Sequence, residues 1–168
     1  SNGAGIGIFN PTTGAALGTF ADHVSDNELN NPQGMAFQNG NLYVADGTAG
    51  NVFVYNSSGS HISTLSDPSM GTPYGLTFSS SGTLYIADIG QGNVLSYNGT
   101  SFTQVNSQPG VFNSGARDVG VGHDGNLYVL DSSGIGGIYR LSLSDGSAEK
   151  IVDYSTSSFF AQNIIVGF

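Results

Sequence analysis

A chain of 168 residues can bury one substantial core but not two ordinary enzyme-sized domains. Three Lys and Arg residues against twelve Asp and Glu, a formal charge of -9, argue against a basic face for nucleic acid, and no apolar run is long enough for a transmembrane helix. The sequence contains no cysteine, so disulfides, thiolate catalysis and zinc–thiolate centres are excluded together, while 26 glycines point to many tight turns.

The chain opens at Ser1 without a basic and apolar leader, so any targeting segment is expected to have been removed or to lie outside these residues. Ile6, Ile8 and Phe9, followed by TTGAALGTF, match Val52 to Tyr55 followed by SSGSHISTL. The first residues are therefore expected to form the third and fourth strands of an incomplete unit. A full unit follows, with strands expected at about Gly34 to Phe37, Asn41 to Ala45, Val52 to Tyr55 and His61 to Leu65. The separators NG, DGTAG and NSSG supply the positive backbone dihedrals of tight turns, which favours short antiparallel strands over helices.

A second copy begins at Thr72 and a third at Ala116, and the aspartates closing their second strands, Asp46, Asp88 and Asp131, fall 42 and 43 positions apart. The segments Leu42 to Val44, Leu84 to Ile86 and Leu127 to Val129 carry residues that fill both faces of a strand, so each small sheet is expected to be covered on both sides. Residues 161–168 match Ala116 to His123 and stop before a second strand. Fifteen strands result, one fewer than a self-contained ring of four blades needs. The expected divisions are a partial blade over 1–30, blades over about 31–71, 72–114 and 115–160, and the first strand of a next blade over 161–168.

This pattern resembles the NHL-repeat group of β-propellers and their six-bladed, TolB-like relatives. The resemblance rests on Pro32 and Gly34, Leu42 to Asp46, and Asn51-Val52, repeated as Pro73 and Gly75, Leu84 to Asp88, and Asn93-Val94. The third copy keeps Leu127 to Asp131, with Ala116 and Asp118 in place of the Pro and Gly, and Gly137-Ile138 in place of Asn-Val. It implies an all-β propeller of four-stranded antiparallel blades: three complete blades plus terminal partial-blade strands. A six-bladed member is longer than this chain, so the resemblance also implies further blades in a parent chain or closure by a homo-oligomer.

The recurrence of Asp46, Asp88 and Asp131 leads us to expect structural caps of the turns after the second strands rather than one catalytic centre. By analogy with related propellers, the loops before first strands and after second strands share one end of the channel. Gln33, Tyr74, Arg117 and Gln162 begin the first strands there with different side chains, and Asp118 and Asn163 follow two of them. Scaffold physics explains sameness at equivalent positions, whereas variation is what a binding face uses, so these six are the candidate ligand-binding residues. Arg117 could clamp a carboxylate or a sugar oxygen, or pair with Asp118, and Tyr74 is the leading candidate for ligand stacking. Tyr43, Tyr85 and Tyr128 recur within second strands and are expected to pack between blades.

His23, His61 and His123 stand at three different repeat phases, which argues against a transition-metal site. No cofactor is expected. Calcium stays open around Asp22, Asp26, Asn27 and Glu28, where carboxylate and amide oxygens are plentiful but no EF-hand spacing occurs. The sequence has no serine elbow, dinucleotide fingerprint or P-loop, and no catalytic residue is assigned. The expected function is a noncatalytic extracellular or cell-envelope scaffold binding a protein or glycan through channel-end loops. The alternative is a channel-centred lyase or hydrolase resembling enzymatic six-bladed propellers.

Overall fold

Short apolar segments broken by glycine-bearing turns build an all-β structure in a computed structural model that describes residues 4–22, 29–113, 115–133 and 136–153. Strands β1 (Gly5–Phe9) and β2 (Ala16–Asp22) form a hairpin. Blade one contains β3 (Pro32–Gln38), β4 (Asn41–Asp46), β5 (Asn51–Tyr55) and β6 (His61–Leu65). Blade two contains β7 (Pro73–Phe78), β8 (Leu84–Asp88), β9 (Asn93–Tyr97) and β10 (Phe102–Gln104). Blade three contains β11 (Ala116–Val121), β12 (Leu127–Asp131), β13 (Gly137–Leu141) and β14 (Ala148–Asp153). In every blade the strands pair antiparallel in chain order, so β3, β7 and β11 are edge strands. The expected fold class is borne out, as an unclosed stack of propeller blades.

Turn chemistry sets the local register. Asn39 and Gly40 both take positive φ, 51° and 78°, between β3 and β4, the conformation that a primed hairpin turn demands. Across the next pair, Leu42 lies opposite Tyr55, and the same phase recurs as Leu84 opposite Tyr97 and Leu127 opposite Leu141.

The side-chain alternation of β4, β8 and β12 then divides the core into layers between blades. Ala45 and Val52 of blade one pack with Leu76, Leu84, Ile86 and Leu95 of blade two. Tyr85, Ala87 and Val94 of blade two pack with Val119, Leu127, Val129 and Leu141 of blade three. On the other side of blade one, Leu42, Val44, Phe53 and Tyr55 meet Ile6 and Ala21 of the β1–β2 hairpin. Each such buried aliphatic side chain contributes about 1.5–3 kcal/mol. The recurrent tyrosines take part in these layers: Tyr43 meets Phe78 edge-on at 4.9 Å, and burial pushes the Tyr85 hydroxyl above the ordinary tyrosine value of 10.0.

Inner edges bring the blades together. Strand β3 lies against β7, and β7 against β11, so the three first strands converge where a propeller has its axial channel. A Cβ added to Gly34 would lie 2.2 Å from the Tyr74 carbonyl oxygen, and one added to Gly75 would lie 2.6 Å from the Asp118 Cα. Only glycine lets successive inner strands approach this closely. Among the described residues no helix is long and apolar enough to cross a membrane.

Candidate ligand face at the channel end

Three buried carboxylates organise one end of the blade stack. The Asp46 Oδ2 atom accepts the N–H groups of Asn30 at 2.6 Å and Asn31 at 2.8 Å, just before β3. Its Oδ1 accepts those of Thr48 at 3.0 Å and Ala49 at 2.9 Å, just after β4. Asp88 repeats this with Gly71 and Thr72 on one side and Gly90 and Gln91 on the other. Asp131 accepts the Ser133 N–H at 2.8 Å.

The backbone reinforces the same joint three times. Gly47, Ile89 and Ser132 donate their N–H groups to the carbonyls of Asn31, Thr72 and Gly115, at 3.1, 3.0 and 2.8 Å. Entry loop and exit turn are thereby fastened together in each blade. Burial of Asp46, Asp88 and Asp131 is compensated by these local donors, and each acts within its own blade.

Between entry loop and inner strand the pairing slips. Pro32 faces Asp46 and Met35 faces Val44, so Gln33 and Gly34 together oppose one residue. Tyr74 and Gly75 do the same between Pro73 and Leu76, and Arg117 is the extra residue between Ala116 and Asp118. A bulge at these positions re-aims side chains away from regular pairing, which is how many sites are built on sheets. Periodicity alone does not reveal the bulge, although the Pro-x-Gly triplet of the first two copies is its available sequence signal.

The bulged residues make neighbouring contacts. Arg117 sets its guanidinium carbon 4.7 Å over the centre of the Tyr74 ring, a cation–π contact across the blade-two and blade-three inner strands. Gln33 donates from Nε2 to Asn31 Oδ1 at 2.7 Å. A Cβ on Gly47 would lie 3.3 to 3.6 Å from Thr72 Cγ2, Gln33 Cγ and Asn31 Nδ2, which places those three side chains around one point. Asp118 Oδ1 accepts the N–H of Val119 at 3.0 Å. Gln33, Tyr74, Arg117 and Asp118 are all half-buried. Gln162 and Asn163 lie outside the described residues.

The other candidates separate from this face. His61 lies on the outer strand β6, its Nε2 bonded with the Ser63 carbonyl at 2.8 Å and the Thr64 hydroxyl at 3.0 Å. His123 is exposed in the turn between β11 and β12. Asp22 ends β2, while His23, Asp26, Asn27 and Glu28 lie outside the described residues. Among the described residues no group of three or more His, Cys, Asp or Glu is placed to hold a metal ion.

No protein-family model matches the chain, and no curated protein matches it. Solved structures do. A catalytically inactive virginiamycin B lyase from Staphylococcus aureus, with quinupristin, is 14% identical and has a TM-score of 0.64, over 86% of this chain and 48% of that one. A gluconolactonase from Xanthomonas campestris gives 15% identity and a TM-score of 0.65, over 75% and 48% of the two chains. Hydrazine synthase from Kuenenia stuttgartiensis gives 17% and 0.63, over 87% and 43%. The matched part of this chain spans less than half the length of each of these structures. The recurrent likeness establishes a six-bladed-propeller type of fold and no narrower NHL or TolB-like group.

Proposed function

We propose that this chain is a sector of a larger propeller whose channel end binds a small oxygen-rich ligand, in a lyase- or hydrolase-type site to which Tyr74 and Arg117 contribute substrate binding. The observation that carries this reading is the Arg117–Tyr74 stack, set on bulges at equivalent positions of adjacent inner strands. A stacked guanidinium is held in orientation by the ring, and its planar set of donors matches a carboxylate or a pair of sugar oxygens. Support for an enzymatic setting comes from fold neighbours that carry the names of lyases and a gluconolactonase. The part played by Arg117 is electrostatic: it holds an anionic oxygen in place.

A noncatalytic reading, a scaffold for a protein or glycan, draws on the same pair. Its planar donors and ring face suffice to bind an anion or a sugar with no chemical step attached. An extracellular or cell-envelope setting belongs to either reading and is supported by the low charge and the many short polar side chains.

Gluconate and sorbitol, open-chain polyols that differ at C1 in a carboxylate against a hydroxymethyl group, test the ligand class by ligand-observed NMR. Gluconate is expected to bind, and Arg117→Ala and Tyr74→Ala to weaken it roughly tenfold each, about 1.4 kcal/mol. Ring opening of gluconolactone, followed by acid release, separates the two readings: turnover above buffer supports the enzyme, and binding without turnover supports the scaffold. Failure of gluconate to bind, or equal binding by both variants, would remove the carboxylate site.

A further inference from the structure

The repeat shows which strand the leading side of blade one lacks. Strand β1 stands at the third-strand phase: Ile6, Ile8 and Phe9 align with Val52, Val54 and Tyr55, and Asn10 aligns with Asn56. The turns that follow agree. Asn10 Oδ1 accepts the N–H groups of Thr12 and Thr13, both at 2.9 Å, as Asn56 Oδ1 accepts those of Ser58 and Ser60 at 3.0 and 3.1 Å. Ile6 packs with Leu42, Val44, Phe53 and Tyr55 of blade one, as Val52 packs with Leu84, Ile86 and Leu95 of blade two. The third-strand and fourth-strand places beside blade one are therefore filled by β1 and β2. Among the described residues, no second strand pairs with the outer edge of β1.

Exposure marks that place residue by residue. Met35 is 52% exposed, whereas its equivalents Leu76 and Val119 are 8% and 3% exposed, in layers with Ala45 and Ala87 of the preceding second strands. Phe37 is 70% exposed, whereas its equivalent Phe78 meets the Tyr43 ring edge-on at 4.9 Å. Ile8 is 41% exposed, whereas its equivalent Val54, opposite Tyr43, is 4% exposed. The side chains that this layer lacks are thus the equivalents of Tyr43 and Ala45. In blade one these lie opposite Val54 and Val52, and in blade two Tyr85 and Ala87 lie opposite Ser96 and Val94. The same register on β1 sets a tyrosine opposite Ile8 and a small residue opposite Ile6.

We infer that the outer edge of β1 accepts one further antiparallel strand of the second-strand type, a Leu-Tyr-aliphatic-Ala segment whose tyrosine covers Ile8 and Phe37 and whose alanine covers Met35. In such an addition the main-chain hydrogen bonds of the open edge supply affinity, and the alternate side chains supply register. A slip of one residue would turn the tyrosine to the opposite face. A second copy of this chain does not provide the strand. Each of β4, β8 and β12 is paired on both edges, with a first and a third strand, and releasing one would dismantle its blade. The occupant is instead a free extended segment from a polypeptide that carries a further copy of the repeat. The inference rests on the reading of this chain as a propeller sector, and gluconate binding at the Arg117–Tyr74 face is measured separately from it.

The probe is a fluorescent peptide with the sequence of Gly40 to Gly47 and blocked ends, titrated with the whole chain and read by anisotropy. Saturable binding is expected. A peptide with Tyr43 and Val44 exchanged keeps the composition and moves the aromatic ring to the other face, and it should bind roughly tenfold more weakly. Phe37→Asp in the chain, at an exposed position, should weaken the original peptide by a similar factor with an unchanged circular dichroism spectrum. Amide hydrogen exchange should slow on β1 when the peptide is bound. Absence of saturable binding up to about 1 mM chain overturns the inference, whether the edge is covered by the chain itself or takes no strand. So does equal binding of the exchanged peptide, binding untouched by Phe37→Asp, or protection that leaves β1 unchanged.

Discussion

Arg117 holds its guanidinium carbon 4.7 Å above the Tyr74 ring, joining two residues 43 positions apart that each occupy the bulge of an inner strand. The contact is half-buried, so about 0.5–1 kcal/mol of coupling is expected from a double-mutant cycle of Tyr74→Leu and Arg117→Met, read by urea unfolding. Tyr74→Phe should retain most of it, since the ring and not the hydroxyl makes the contact. Strictly additive effects of the two substitutions would show that the stack contributes nothing to the fold.

Gly34 is expected to tolerate no side chain. Its added Cβ would sit 2.2 Å from the Tyr74 carbonyl oxygen, with the Gly75 Cα and Leu76 nitrogen close behind, and all three atoms belong to backbone. Relief requires moving blade two away from blade one, at about 1–3 kcal/mol. For a chain of this size Gly34→Ala should lower the melting temperature by about 2–4 °C per kcal/mol. A melting temperature equal to wild type would mean that the inner strands are not packed this closely.

Asp88→Asn is expected to destabilise the fold without selectively abolishing ligand binding. Four backbone N–H groups converge on the carboxylate, and an amide turns one acceptor into a fifth donor. Leaving buried donors unsatisfied costs about 1–3 kcal/mol, more where the lost acceptor is charged. Asp88→Asn should therefore lower the urea midpoint with the gluconate affinity of the folded fraction unchanged. A variant of normal stability that loses the ligand would move Asp88 from the frame of the face to its surface.

The blade architecture is legible because several weak signals recur together. Asp46, Asp88 and Asp131 return with Leu-Tyr-aliphatic second strands and glycine turns, and no helix or sandwich reproduces that spacing. The equivalence of Gln33, Tyr74 and Arg117 is readable for the same reason. Their coupling is not, because a stack between residues 74 and 117 depends on the bulges and on how closely Gly75 lets β11 approach. Tyr74, expected from sequence to offer its ring to a ligand, instead has one face occupied by Arg117. Narrower function is not legible because the repeated residues are occupied with the scaffold, and only single, unrepeated side chains are left to differ.

Acidification should weaken the fold through three turn carboxylates, Asp124 and Asp145 exposed and Asp67 half-buried. Asp124 is held far below the ordinary aspartate value of 3.8 by the Asn126 side-chain amide and the Arg140 guanidinium, whose Nε donates to Asp124 Oδ2 at 2.8 Å. The Ser69 hydroxyl and N–H lower Asp67, and the Ser147 N–H and hydroxyl lower Asp145. Because the folded values are depressed, the unfolded chain binds more protons in this range, and stability rises with pH there. The contribution is fully present above the unfolded value, near 3.8, and is lost as pH falls through the folded values. The urea midpoint is therefore expected to be level from about pH 6 to about pH 5 as far as these groups act, and to drop between about pH 4 and about pH 2. Asp124→Asn should be less stable near neutral pH and show a shallower acid drop, since the strongest of the three depressed groups is gone. An acid limb as steep in Asp124→Asn as in wild type would show that the Asp124–Arg140 pair, open to solvent on the turn of blade three, is screened to insignificance.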